Sequence, residues 1–262
     1  MGRMEIKNEK VRSFMSMLFA FVLLLLFYPY DDRAEIADME DGAEKSAVPY
    51  ENDGTEESAA LYRKDETEES QTRRVALTFD DGPNAVYTPM LLNGLKERGI
   101  KATFFLIGSN VEEGENRELV KRMRKEGHVL GNHTYHHREL TSLSEEEAYQ
   151  ELKATSDLVK SITGEDLEYM RPPFGAWQKE LDRKIPMIPV LWSVDTMDWT
   201  TGNVDEIVRH AEEGLGQEGS GRDDIILMHD CYESSVKAAF RIIDLLQARG
   251  YEFVTVDALI QP

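Results

Sequence analysis

Residues 73–83 read Arg-Arg-Val-Ala-Leu-Thr-Phe-Asp-Asp-Gly-Pro, an apolar run that ends directly in two carboxylates and a Gly-Pro turn. A short apolar run closed by turn residues reads as a buried strand. The same grammar recurs downstream. Strands are predicted at residues 75–79, 102–108, 128–132, 189–194, 224–229 and 252–256, with a shorter segment at 169–171. Between them, helical spacing of apolar residues predicts helices at 89–98, 144–162, 204–214 and 234–249. The second opens on a Ser-Glu-Glu-Glu capping pattern, and the first and last are stopped by Gly99 and Gly250. Strand and helix in alternation predict an α/β fold around a mostly parallel sheet, either a closed or distorted barrel or an open doubly wound sheet. Both architectures place their chemistry at the C-terminal ends of the strands.

Working outward, charge divides the chain. Residues 1–30 carry a net +2, residues 31–70 a net −11 and residues 71–262 a further −11, within a total of −20. The middle block has few apolar residues with which to offset its ordering entropy, so residues 31–72 are expected to form a disordered acidic spacer with a reach of about 35 Å. Before it, residues 14–28 are uncharged and apolar, preceded by basic residues and followed by Asp31 and Asp32. This is a membrane signal, and residues 1–30 are expected to be a retained signal anchor, with a cleaved signal peptide as the alternative. The positive-inside rule then places residues 73–262 outside the cell membrane, in a single-pass arrangement, or secreted if the signal is cleaved. The acidic balance argues against a nucleic-acid partner. The single cysteine, Cys231, excludes an intramolecular disulfide and any cysteine-built zinc site, and its plain reading is a small packing residue.

The polar residues with chemical potential fall at the predicted strand ends. Asp80 and Asp81 follow the first strand, and Asn132-His133-Thr134-Tyr135-His136-His137 follows the third, holding three of the six histidines. His133 and His137, four apart, would share one face of a helical turn and converge on a metal ion. No Glu stands between them in the metalloprotease pattern, so the remaining ligand and the base must come from elsewhere. Asp81 can complete a site of two imidazoles and one carboxylate, of a kind that supports hydrolysis and can also hold iron, leaving Asp80 as a base. Arg171-Pro172-Pro173-Phe174-Gly175 offers a guanidinium for Asp80 and, at Phe174, a backbone N–H for an oxyanion. His229, closing Leu227-Met228-His229-Asp230, is placed as a general acid, with Asp195 of Asp195-Thr196-Met197-Asp198-Trp199 as the carboxylate that would keep it protonated.

Taken in order, TFDDGP, HTYHH, RPPFG, DTMDW and LMHD resemble the five motifs of the polysaccharide deacetylases, carbohydrate esterase family 4, across residues 73–262. That resemblance implies a distorted (β/α) barrel and a divalent metal ion, zinc before cobalt or nickel. It also implies hydrolysis of N-acetyl groups on N-acetylglucosamine polymers such as peptidoglycan or chitin. It assigns Asp80 as base, Asp81, His133 and His137 as metal ligands, Arg171 as the tether of the base, Asp195 as the tuner of the acid and His229 as that acid. Phe174 would serve the oxyanion, Trp199 the sugar groove and Leu227 the acetyl-methyl pocket. Phe174 stands where the family more often has Tyr, and Trp177-Gln178 where an Asn is frequent, which bears on the groove. Peptidoglycan is the expected polymer, and the protein is expected to be a monomer. N-acetylmuramic acid, chitin oligomers, another exopolysaccharide or O-acetylated xylan remain rivals within enzymes, and a decayed wall-binding module remains one outside them.

Overall fold

The structure, a computed structural model, describes residues 72–177, 181, 183–216 and 223–260. The expected membrane segment, nearly all of the acidic spacer, and Gln178 lie outside the described residues.

Among the described residues eight parallel strands form one sheet: β1 (Arg74–Asp80), β2 (Thr103–Leu106), β3 (Val129–Asn132), β4 (Tyr169–Met170), β5 (Ile188–Pro189), β6 (Val194–Asp195), β7 (Asp223–His229) and β8 (Glu252–Val254). Their order is β5-β4-β3-β2-β1-β7-β6. β1 is the spine. One of its edges pairs with β7 along its whole length, Arg74 opposite Asp223 through Asp80 opposite His229. The other edge is shared, with β8 beside Arg74–Ala76 and β2 beside Thr78–Asp80.

The helices are α1 (Tyr87–Glu97), α2 (Gly108–Glu112), α3 (Asn116–Lys125), α4 (Glu145–Thr163), α5 (Val204–Gly214), α6 (Glu233–Ala248) and α7 (Val256–Leu259). The capping box expected at Ser144 is present, with Ser144 Oγ accepting from the Glu147 N–H and the Glu147 carboxylate accepting from the Ser144 N–H. The strand expected at 102–108 is shorter because Gly108 opens α2, and Val256, expected at the end of the last strand, begins α7.

Alternation along each strand sorts the side chains into two layers. Val75, Leu77 and Phe79 of β1, Phe104 and Leu106 of β2, and Ile226 and Met228 of β7 pack into one core with Leu91, Leu92 and Leu95 of α1 and Ile242, Ile243 and Leu246 of α6. A Cβ at Gly94 would fall 2.2 Å from the Phe240 ring, so only glycine lets α1 approach α6 this closely. The opposite parity, Ala76, Phe105, Tyr169 and Val190, forms a second, interior cluster with Val256 of α7. Continued to the strand ends, that interior parity is the parity of Thr78 and Asp80, of His133, of Arg171, and of Leu227 and His229.

The run expected as one strand at 189–194 is divided. Residues 188–189 lie on the β4 edge and 194–195 on the β7 edge, and the chain crosses between the two edges in the four residues separating them. The Val190 N–H donates to Met170 O and the Ser193 N–H to Ile225 O, so one extended stretch serves both free edges and curls the sheet into a distorted barrel. The carbonyls of Val190 and Leu191 have left the ladder at this seam, and the guanidinium of Arg171 takes both, at 3.0 and 3.2 Å.

One buried histidine lies outside the strand-end chemistry. His128 Nδ1 accepts the Ala102 N–H at 3.1 Å where β2 and β3 begin, and its ring meets Phe104 edge-on. Burial, then the charge of Lys101, pulls the imidazole down to about 4. Because the folded pKa lies below the unfolded one, the stability of the neutral ring is fully present above about 6.5 and is lost as pH falls toward 4, a penalty on the order of 2–3 kcal/mol. His128→Asn is expected to flatten the acid limb of the denaturation midpoint between pH 6.5 and 4. An acid limb as steep as that of the native chain would assign it to other groups.

Candidate active site

The first strand delivers Asp80 at its last position and Asp81 just beyond, at a left-handed φ of 72°. Three ties hold that turn by its carbonyls. Asn110 Nδ2 donates to Asp81 O at 2.7 Å, the Ile107 N–H to Gly82 O at 3.0 Å, and Asn116 Nδ2 to Pro83 O at 3.2 Å. Behind it, the buried Asp230 carboxylate accepts from Thr88 Oγ1 and presses on Gly82, where a Cβ would fall 2.4 Å from Asp230 Oδ1. Burial raises the Asp230 carboxyl to about 7.

Asp81 Oδ1 faces His133 Nε2 at 3.5 Å and His137 Nε2 at 3.4 Å, and the three residues offer ligand atoms within 4.8 Å of one another. The two histidines do not share a helical face as expected. His133 leaves β3, Thr134 and His137 adopt φ of 64° and 55°, and the intervening loop turns the second ring back toward the first, with centroids 5.0 Å apart. His133 Nδ1 lies 2.7 Å from Arg171 O. A carbonyl only accepts, so Nδ1 carries a proton, and in the neutral ring this tautomer leaves the Nε2 lone pair toward Asp81. Burial, then the charge of His133, lowers the His137 pKa and favours the neutral ring a metal requires. Burial alone would raise the Asp81 carboxyl, but the contact with His133 and the charges of the three nearby histidines hold it below the usual range.

These residues fit a divalent cation by one further observation. Asp81 Oδ1 is buried with no hydrogen-bond donor among the described residues, an anionic oxygen that faces two imidazole nitrogens and is not hydrogen-bonded to either. Two imidazoles and a carboxylate form a donor set of the kind that holds zinc with positions left for water and substrate.

Asp80 stands beside this triad, 3% exposed, with Oδ1 accepting from Arg171 Nη1 at 2.8 Å and Oδ2 3.7 Å from His133 Nε2. Arg171 is fully buried. Besides the two seam carbonyls it donates to Thr78 Oγ1 at 2.7 Å, and its guanidinium lies 4.3 Å from the centroid of the Phe105 ring.

Next to Asp80, at the end of the neighbouring β7, stands His229. The carboxylate expected to hold it is corrected by the geometry. Asp198, 2% exposed, accepts both from His229 Nδ1 and from the His229 N–H, each at 2.8 Å. The Asp195 carboxylate turns back to accept the Met197 N–H at 2.8 Å. The DTMDW spacing offered both carboxylates; the turn at Met197, with φ of 56°, brings the later one under the imidazole. Burial disfavours the charged His229 ring, but the hydrogen bond and charge of Asp198, with the charges of Asp80 and Asp81, outweigh it and push the imidazole up to about 9. It therefore carries a proton at neutral pH.

Of the other expected residues, Leu227 is buried at the β7 end, whereas Phe174, 70% exposed with φ of 60°, and Trp199, 56% exposed, stand at the rim. The Phe174 ring packs on His137 at 4.9 Å. Cys231 is half-buried, its thiol pushed up to about 12 by burial and by the charges of Asp81 and Asp230, which suits a packing role. Besides Asp198, the sequence left Asn110, Asn116 and Glu151 unread, because residues that act on backbone groups of distant loops carry no spacing signal.

Among known families, residues 67–186 match the model of the polysaccharide deacetylases. The chain is similar to the peptidoglycan-N-acetylglucosamine deacetylase PgdA of Listeria monocytogenes, with 40% identity over 187 residues, 71% of this chain and 39% of that protein. It is similar to a peptidoglycan-N-acetylglucosamine deacetylase of Bacillus cereus, with 38% identity over 198 residues, 71% of this chain and 68% of that one. It is also similar to the peptidoglycan-N-acetylmuramic acid deacetylase PdaC of Bacillus subtilis, 42% identical over 71% of this chain and 38% of that protein. A solved structure of PdaC superposes with a TM-score of 0.66 at 41% identity, covering 72% of this chain and 90% of that one. The match thus spans less than half the length of PgdA and of PdaC.

Proposed function

The chain belongs to the polysaccharide deacetylase family, and from that premise we propose that it removes N-acetyl groups from N-acetylglucosamine residues of peptidoglycan, in a reaction that depends on one divalent metal ion, zinc. The observation that carries this reading is the convergence of Asp81, His133 and His137 on one point, with a desolvated Asp81 oxygen that no donor among the described residues satisfies, beside Asp80 and its neighbour on the adjoining strand, a protonated His229.

Asp81, His133 and His137 would hold the metal, which supplies a Lewis acid for the acetyl carbonyl and lowers the pKa of water. The rest is done by side chains and one backbone amide of the chain itself. Asp80, fixed at Oδ1 by Arg171, presents Oδ2 to take a proton from the attacking water. In this reading the backbone N–H of Phe174 is assigned to the developing oxyanion, and Leu227, buried at the β7 end, to the acetyl methyl group. His229, charged against Asp198, gives its proton to the departing amine, which the sugar keeps as an ammonium. A module that only binds a wall polymer has use for neither a free base nor a proton donor.

The substrate class is supported by the relatives' names and by the rim. Phe174, Leu191, Trp199 and Tyr232 are large, exposed and on loops that follow successive strands around the mouth, an apolar arc on which sugar faces can lie. We place the catalytic domain outside the cell membrane, held by the apolar residues 14–28. Among the described residues no helix is long and apolar enough to cross a membrane.

The test is acetate release from purified peptidoglycan. The chain stripped of metal is expected to be inactive and to recover with zinc, and Asp80→Asn with zinc to lose at least about 100-fold. Hydrolysis of the product glycan is expected to yield glucosamine. A free amine found on muramic acid instead would move the substrate to the sugar named for PdaC. Stoichiometric zinc binding with no release from peptidoglycan or chitin oligomers would sink the catalytic reading.

A further inference from the structure

We propose that Glu151 is a positioning residue for the metal ligand His137, acting through the loop that joins the two histidines; this rests on the reading of Asp81, His133 and His137 as ligands. Glu151 sits on the buried face of α4, in line with Ala148, Leu152, Thr155 and Val159, where an apolar side chain would continue the pattern. It is a carboxylate at 8% exposure, and its desolvation has to be offset.

What offsets it is the histidine loop. Glu151 Oε2 accepts the N–H groups of both Tyr135, at 3.0 Å, and His136, at 2.8 Å, while Oε1 lies 2.9 Å from His136 Nδ1. Three other ties serve the first half of the loop. The Thr134 N–H donates to Asn132 Oδ1, the Gly108 N–H to Thr134 O and the Ser109 N–H to Tyr135 O. The two amides immediately before His137 go to Glu151. They need a holder, because the loop contains two non-glycine residues in the left-handed region, Thr134 at 64° and His137 at 55°, each held there against a local cost of about 1 kcal/mol or more. The His136 ring, with its side chain 62% exposed, pairs with Glu151 and is not part of the ligand triad. Glu151 thus fixes where the backbone places His137.

The experiment measures zinc affinity of the full chain by competition with a chromophoric chelator, together with the visible absorption of the cobalt(II)-loaded chain. Glu151→Ala is expected to weaken zinc binding about 10–100-fold and to alter the cobalt bands, with kcat recovering at saturating metal. His136→Ala keeps both amide bonds and loses only an exposed contact, so its affinity is expected within about fivefold of native. Glu151→Gln, which keeps one oxygen for the amides, is expected between the two. Native affinity and native cobalt bands in a folded Glu151→Ala chain would overturn the proposal and leave Glu151 a packing residue. So would a kcat that stays low at saturating metal with affinity unchanged. If Glu151→Ala does not fold, Glu151→Gln decides, native affinity and bands being the overturning result. A native chain that binds no metal would overturn the proposed function together with this inference; native binding unmoved by the Glu151 variants overturns this inference alone.

Discussion

Arg171→Met is expected to lower the stability of the domain by about 3–5 kcal/mol and to remove acetate release almost entirely. The guanidinium is fully buried and satisfies four acceptors on two separated stretches: Thr78 Oγ1 and Asp80 Oδ1 of β1, and Val190 O and Leu191 O at the seam. Methionine keeps an unbranched apolar stem, stops short of the guanidinium position and donates to none of them. Asp80 is then left as a buried carboxylate without its counter-charge, and two carbonyls at the barrel seam lose their donor. Arg171→Lys is expected to recover only part of the loss, since one ammonium cannot span this planar fork of contacts. Denaturant midpoints of the three proteins, alongside acetate release, check both halves. A Met variant as stable as the native chain would mean that the seam closes without the guanidinium.

Asp198→Asn carries the second large effect. The His229 pKa is raised in the folded state, so the stability from its pairing is fully present below the unfolded value of about 6.5 and lost as pH rises through about 9, a contribution of about 3 kcal/mol. Asparagine retains an acceptor for the backbone or ring N–H but removes the charge, while burial continues to disfavour the imidazolium. His229 in the metal-free variant is expected to titrate below neutrality by NMR, and the alkaline limb of acetate release to move down from near 9 in step. At pH 8 the rate should fall at least tenfold, roughly the factor in protonated acid. Asp195→Asn, whose carboxylate is engaged with Met197, is expected to leave that titration in place. His229 still titrating near 9 in Asp198→Asn would assign its proton to other charges.

The sequence was most readable where one period ruled. β1, β7 and α4 bury a face or faces along their whole length, so apolar pattern alone marks them. α3 escaped because its stretch, NRELVKRMRK, is mostly charged and buries only Asn116, Val120 and Met123. The 189–194 run was visible as extended chain, but its division between two sheet edges depends on Arg171, whose role no local window contains. The same holds at the site. Asp81, His133 and His137 stand in short motifs with metal-ligand chemistry, whereas the choice between Asp195 and Asp198 turns on a single backbone reversal at Met197, and the contribution of Glu151 on a helix that packs beneath the loop.

The strand order also sets a timetable. β1, which carries Asp80 and Asp81, finds the partner that pairs its full length only in β7, near the far end of the chain, and His229 arrives with that same strand. A chain emerging from its N-terminus has Asp81, His133 and His137 early, but no completed sheet to hold them and no His229. Long-range parallel pairing makes the final docking step late and slow compared with local structure. Assembly of the barrel and the onset of the proposed hydrolysis are therefore expected to be one event: a half-made chain is expected to be inert until the last long strand closes against the first.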